Sequence, residues 1–402
     1  MGHEMSAELR TRDGHLVFAD QDDGNSVVYL ITPSGLRPIW DAWSWQASTG
    51  LTFPEPAPGP IGVPPLPPVG PAVGTGVSGQ VIRVTADSDR PRPVGMAYWP
   101  VINNHAGQAM LRVLVSLADA LTLFYVDKAS GVVSRGETLP LPPNTGEFCY
   151  WSFSDPDLFY FPSGNVLFSY HVVTGELREV VTAPVPITQC HSSADGRSHS
   201  CTMDGGAAVS REGRITTYPS AGSYDECQID KSGEWLLIKE GADNRVVHLS
   251  SGRMWTITDK GLAVGHSDMG WGYMVGEDDQ TNPGGVFRRW RFTEQGPVDE
   301  GVVYAWGGWA PMTRYVSHCN ARPGQADGQR VLFSDSAHGL VAKTMGRDDA
   351  WMIAPSLTDL NASGGGERYW KHTRATLDPT GEWACWSGND GTDHMVIFLV
   401  RL

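Results

Sequence analysis

The sequence predicts an all-β fold, a single seven-bladed β-propeller, and three observations carry that expectation. The first is a unit that recurs with drift: an inner run ending in a small residue, a polar turn, and a second strand bearing aromatics. It reads Asp225-Glu226-Cys227-Gln228-Ile229-Asp230-Lys231-Ser232-Gly233-Glu234-Trp235-Leu236-Leu237-Ile238, and again Thr373-Arg374-Ala375-Thr376-Leu377-Asp378-Pro379-Thr380-Gly381-Glu382-Trp383-Ala384-Cys385-Trp386. One supersecondary unit reused at a period of roughly 40 residues marks a solenoid or propeller, and an all-strand unit favours the propeller. The second is composition. Gly 47, Pro 28 and Trp 15 with 19% charged residues describe a turn-rich β protein, and 41% hydrophobic residues over a 402-residue chain suffice for a sizeable core. The third is that no helix of any length is written; even the apolar-dense 114–124 continues with Thr, Tyr and Val in strand fashion.

Taken in order, residues 1–52 supply strands at 16–19, 27–32 and 36–40, with Asp22-Asp23-Gly24-Asn25 as hairpin turn chemistry. These strands have no blade of their own and are expected to complete the ring. Residues 53–79 change character abruptly. Proline at this density cannot join a strand ladder and favours extended polyproline geometry, so the segment reads as an inserted semi-rigid arm. Pro54, Pro56, Pro58, Pro64, Pro65, Pro67 and Pro68 are its candidate docking residues toward a neighbouring subunit; a surface-hugging loop is the alternative.

Residues 80–402 form the main body. Strands at 96–99, 111–115 and 121–126 make one unit, followed by units over 148–176, 189–218, 225–258, 266–306, 315–353 and 369–402. That makes seven, and the boundaries admit six to eight. The final run 395–402 is so apolar that it must be buried between neighbours, and pairing it with N-terminal strands would remove exposed edges.

The charge balance narrows the function. A net charge of −15 argues against a nucleic-acid backbone or an anionic membrane as main partner. Arg288, Arg289 and Arg291, interleaved with Phe287, Trp290 and Phe292, read as a strand with one solvated cationic face. Met1-Gly2-His3-Glu4-Met5 shows neither a basic n-region nor an apolar core, and no apolar run approaches the roughly 20 residues a membrane helix needs. The expectation is cytoplasmic synthesis without membrane insertion, with incorporation into a virion as a further setting.

Six cysteines in a chain this long are no disulfide framework, and the absence of a CxxC pair removes a thiolate zinc site. Cys149, Cys190, Cys227 and Cys319 align on one inner-strand position, where the last unit has Ala375, which reads as packing of a small residue. No Gly-x-Ser-x-Gly, Walker loop or His-Glu-x-x-His is present. Glu277-Asp278-Asp279 and Asp348-Asp349 fit no EF-hand and read as loop charges, and Asp225 and Glu226 point to opposite strand faces. Most of the tryptophans, Trp151, Trp290 and Trp351 among them, are expected to fill space between blades.

The turn-bearing segments Leu377-Asp378-Pro379-Thr380-Gly381-Glu382-Trp383, Ile229-Asp230-Lys231-Ser232-Gly233-Glu234-Trp235 and Ala326-Asp327-Gly328-Gln329-Arg330 resemble the blade motif of TolB-like propellers, in which Ser-Pro-Asp-Gly-Lys precedes the second strand. That resemblance covers three or four blades and implies the fold rather than an activity. Within that superfamily, oligogalacturonate lyases hold a metal among channel histidines. The resemblance implies His191, His266, His318 and His372 as candidate ligands of one divalent ion, which could acidify the proton beside a uronate carboxylate for β-elimination. Two functions of different class follow. One is a non-enzymatic structural or recognition propeller without a cofactor, bound to other protein subunits of an assembly, with a bacteriophage virion or tail-associated protein as its concrete form and a glycan as a second partner. The other is a metal-dependent lyase of uronate oligosaccharides.

Overall fold

The computed structural model describes residues 9–10, 16–22, 25–32, 35–41, 70–71, 81–89, 91, 101–105, 107–117, 120–141, 148–220, 224–240, 244–257, 264–278, 286–305, 314–318, 330–335, 339–346, 350–359, 371, 373–389 and 394–402. These residues form strands and turns arranged in seven antiparallel sheets, the seven blades of a β-propeller. Among them no helix is long and apolar enough to cross a membrane.

Blades 1 to 5 are four-stranded meanders in chain order. Their inner strands are Ile102–Asn103, Tyr150–Trp151, Ile187–Ser192, Cys227–Ile229 and Val264–Met269. Blade 6 starts with Arg314–His318 and ends with Ala350–Ala354; blade 7 starts with Ala375–Leu377. The first inner strand is therefore 102–103, whereas the expected 96–99 lies outside the described residues.

Two-residue alternation explains where the core sits. In the second strand of blade 4, Leu236 and Ile238 pack with Ala207 and Val209 of blade 3, while Trp235 and Leu237 pack with Met269, Met274 and Trp290 of blade 5. Each blade thus buries both faces against its neighbours. That is why these strands read as nearly continuous apolar runs rather than as hydrophobic-polar alternation.

Strands from the two ends of the body close the ring, but not the N-terminal ones expected. Phe398 and Leu399 of Met395–Arg401 pair with Arg83 and Ile82, and Val84 N–H donates to the Ile397 carbonyl at 2.8 Å. Gly70–Pro71 adds a further strand on Ile82–Arg83. The segment leading directly into blade 1 therefore occupies the terminal strand's edge. Leu16–Asp22, Asn25–Thr32 and Gly35–Asp41 extend the sheet of blade 6 instead, meeting it where Leu36 pairs with Ala350. The candidate docking prolines 54–68 lie outside the described residues.

Candidate functional site at the turn end of the channel

The repeated turn is the device that positions the site. In blades 1 to 5 and 7 the inner strand stops pairing at the same register, and the next residue opens the turn: Asn104, Ser152, Ser193, Asp230, Gly270 and Asp378. Asp230 Oδ1 accepts the Glu234 and Trp235 N–H groups, both at 3.0 Å. Its Oδ2 accepts the Ser232 hydroxyl at 2.5 Å and, from blade 5, Gly272 N–H at 2.8 Å. Gly233 must follow because φ is +75°, and a Cβ there would meet Ser193 and Ser198 at 3.1 Å. Asp378 repeats the arrangement across the ring closure, where Asn104 Nδ2 of blade 1 donates to it at 3.0 Å. Burial pushes both carboxyls above the usual range, and the hydrogen bonds oppose that push.

The next residue of each turn faces the mouth position of the repeat: His105, Phe153, Ala194, Lys231, Trp271 and Pro379. A backbone belt joins three of these blades, with Ala194 N–H donating to the Lys231 carbonyl at 2.8 Å and Lys231 N–H to the Gly270 carbonyl at 2.7 Å. Lys231 is only 3% exposed, and its ammonium lies 4.9 Å from the centre of the Phe153 ring. It reaches from blade 4 past blade 3 to blade 2. The His105 imidazole is hydrogen-bonded to the Ser152 backbone; burial lowers its pKa while Asp155, Asp157 and Asp378 oppose.

Two residues deeper along the inner strands stand Ile102, Tyr150, His191, Gln228, Asp268 and Thr376, all buried. In blades 3 to 5 this level is polar. Gln228 Nε2 donates to Glu226 Oε1 at 3.1 Å and to the Ser267 carbonyl of blade 5 at 2.9 Å. Glu226 is also paired with Lys239, both side chains being buried. Burial holds the His191 pKa well below its ordinary value, and the Lys231 and Lys239 charges add to that. The chemistry on offer is a buried polar layer of His191, Gln228, Asp268, Glu226 and Lys239 beneath an aromatic and cationic mouth.

His191 and His266 do not share one register position. His191 lies at the level of Gln228 and Asp268; His266 lies two residues further from the turn, at a strand irregularity between Val264 and Ser267. His318 pairs with Val331 at the end of its described strand, and His372 lies outside the described residues. The shared cysteine position is as expected: Cys149, Cys190, Cys227 and Ala375 are buried, and Cys319 lies outside the described residues. Desolvation pushes the Cys149 and Cys227 thiols up to about 12, so they are packing rather than nucleophilic groups. The expected cationic face is neutralised: Asp299 takes Arg288, and Glu300 takes Arg289 and Arg291.

Asp155, Asp157 and His171 gather ligand-type atoms within 4.8 Å of one another. However, Arg112 pairs with Asp157, and His171 Nδ1 accepts Thr174 N–H at 3.2 Å. A neutral imidazole accepting at Nδ1 carries its proton on Nε2 and donates rather than ligates. Sequence reading missed the Lys231 mouth position. Its signal was present, as a lysine where the equivalent turn of blade 7 has Pro379.

Fold and turn geometry together define a seven-bladed β-propeller with a charged inner layer. The chain is similar in fold to an oligogalacturonate lyase in complex with manganese, at 12% identity and TM-score 0.58 over 84% of this chain and 97% of that one. It is also similar to the β-propeller domain of Cps50 (Swd1) from Myceliophteria thermophila, at 10% identity and TM-score 0.51 over 80% and 99%. A chain of a mitotic checkpoint complex matches at 14% identity and TM-score 0.51, over 88% and 98%. Likeness at this identity identifies the architecture and not an activity. No family model and no curated protein matches the chain, so its likeness to TolB-like blades rests on turn residues.

Proposed function

We propose that this chain is a non-enzymatic β-propeller acting as a structural or recognition component of a larger protein assembly. The observation that carries this reading is on the rim. Leu177, Ile215 and Met254 are each the second residue of the fourth strand in blades 2, 3 and 4, Glu176–Thr182, Arg214–Pro219 and Arg253–Thr256, and are 43–44% exposed. Val298 and Val302 are exposed on the fourth strand of blade 5, Gly296–Ala305. Outer strands with apolar side chains and open edges are a liability that a partner subunit removes. Residues 53–79, apart from Gly70–Pro71 on the blade 7 sheet, serve as the arm that docks on such a subunit, and a bacteriophage virion or tail is the setting we carry for it.

The alternative is a metal-dependent lyase of uronate oligosaccharides, favoured by likeness in fold to the manganese-bound lyase. Its ion would draw on His191, His266, His318 and His372, of which His191 and His266 stand at different levels of their strands. Metal content of the tag-free chain separates the two readings, measured beside a variant with all four histidines changed to alanine and with an assay for unsaturated uronate products. We expect no stoichiometric metal and no turnover. Near-stoichiometric metal that the variant loses, together with turnover, would replace the assembly reading with the lyase.

A further inference from the structure

We propose that the turn end of the channel is an oxyanion site, in which the Lys231 ammonium receives the carboxylate or phosphate group of a small ligand. Lys231 is 3% exposed, yet among the described residues no carboxylate pairs with it and no acceptor takes a hydrogen bond from its Nζ. Its one contact of that kind is the Phe153 ring face at 4.9 Å. Its Nζ is not among the fully buried side-chain atoms that lack a partner, so the stem is buried while the ammonium keeps some exposure.

The inner-strand carboxylates beneath Lys231 have other partners, Asp268 Oδ1 accepting the Met269 N–H at 2.8 Å. Glu226, the nearby inner-strand carboxylate, is engaged by Lys239 and by the Gln228 amide. Burial holds the His191 imidazole well below its ordinary pKa, and the Lys231 and Lys239 charges add to that. An arriving oxyanion would meet the Lys231 ammonium, which has no carboxylate partner among the described residues, inside a chain whose net charge is −15.

Nor does the fold require a lysine here. Equivalent turns carry His105, Phe153, Ala194, Trp271 and Pro379, and each still ends its inner strand at the same register. Phe153 flanks the ammonium with an aromatic face on which a ligand's carbon frame can rest. The proposal is independent of the assembly reading, since it concerns the mouth and not the rim.

The test is calorimetric titration of the full chain with malonate and, separately, with inorganic phosphate, sodium chloride holding the ionic strength constant. The variants are Lys231→Gln, Lys231→Arg and, as a control for general charge loss, Arg214→Gln on the exposed outer strand of blade 3. Saturable binding of either anion to the wild type is expected, weakened about tenfold or more by Lys231→Gln (a factor of ten being ~1.4 kcal/mol) and unchanged by Arg214→Gln. Lys231→Arg should restore part of the affinity. Malonate binding alone identifies a carboxylate ligand and phosphate binding alone a phosphorylated one; binding of both supports the shared chemistry. No saturation by either anion in the wild type overturns the proposal, as does undiminished affinity in Lys231→Gln. If that variant does not fold, spectra of isotope-labelled lysine decide: the Lys231 ammonium signal must move as the anion saturates, and a stationary signal rejects the site.

Discussion

Removing the Asp378 carboxylate tests whether the repeated turn is the clamp that closes the ring. Asp378 Oδ1 accepts Trp383 N–H at 2.6 Å, and Oδ2 accepts Thr380 N–H at 2.9 Å, the Thr380 hydroxyl at 2.5 Å and Asn104 Nδ2 at 3.0 Å. Thr380 is exposed and can turn to water, but Trp383 and Asn104 are buried. Asp378→Ala therefore strands one buried donor, the Trp383 N–H, at about 1–3 kcal/mol, while Asn104 Nδ2 keeps the Thr380 hydroxyl oxygen at 2.9 Å. The net cost is ~2 kcal/mol. At about 2.1 cal/mol/K per residue, a chain of 402 residues unfolds with roughly 0.8 kcal/mol/K, so the melting midpoint should fall by ~2 °C. Asp378→Asn keeps one acceptor for Trp383, and Asn104 can rotate its amide to face the new donor. It should cost about half as much. Calorimetry measures both shifts. An Asp378→Ala midpoint within about 1 °C of wild type, or equal losses for the two variants, would refute the clamp.

The buried pair of Glu226 and Lys239 predicts asymmetry: Lys239→Met should cost ~3–5 kcal/mol by stranding a carboxylate, while Glu226→Gln combined with Lys239→Met should stay within ~1 kcal/mol of wild type in urea unfolding. Acid should destabilise the chain through His199, whose pKa burial lowers from 6.5 to about 4. The unfolded state binds more protons between those values, so stability falls as pH drops through that window, by up to ~3 kcal/mol, and His199→Gln should flatten the dependence of the urea midpoint on pH. On the rim, Leu177→Glu with Ile215→Glu and Met254→Glu should abolish binding of a hydrophobic dye to the folded chain and move the melting midpoint by under ~2 °C; unchanged dye binding removes that surface as a docking face.

The architecture was legible because a propeller repeats its instructions. The Asp-x-Ser/Thr-Gly turn, the small residue three positions before it and the aromatic second strand appear at Cys227–Trp235 and again at Ala375–Trp383, and the structure uses them identically. Closure was only half legible. That strands from both ends of the body meet follows from the apolar run 395–400, but which N-terminal segment takes the edge depends on chain proximity. Ile82–Arg83 is two residues long and carries no strand pattern to read. The site was less legible still. Histidines attract attention by their chemistry, and only pairing registers show that His191 and His266 stand two residues apart in level. Gln228, Glu226 and Lys239 were invisible for a related reason: their roles come from contacts between blades and strands that no spacing along the chain announces.

A repeat protein supplies its own comparison set, and that is the strongest handle on function here. At a position the fold dictates, blades agree in type: Asp230 and Asp378 cap turns with the same oxygens, and Cys149, Cys190, Cys227 and Ala375 are all small and buried. At a position the fold leaves free, blades differ at no architectural cost. The mouth position varies from alanine to tryptophan while the register before it holds, so the fold does not dictate the lysine found there. The Glu226 and Lys239 pair departs in the same direction, since a buried ion pair is commonly no more stable than the apolar residues that could replace it. Both departures fall in blade 4, and both charges act on His191 in blade 3. If they are ornaments of packing, replacing Lys231, Glu226 and Lys239 by apolar residues of similar volume should raise the melting midpoint and leave anion titrations flat. If they are the site, the same replacement should raise the midpoint and abolish binding that the wild type shows.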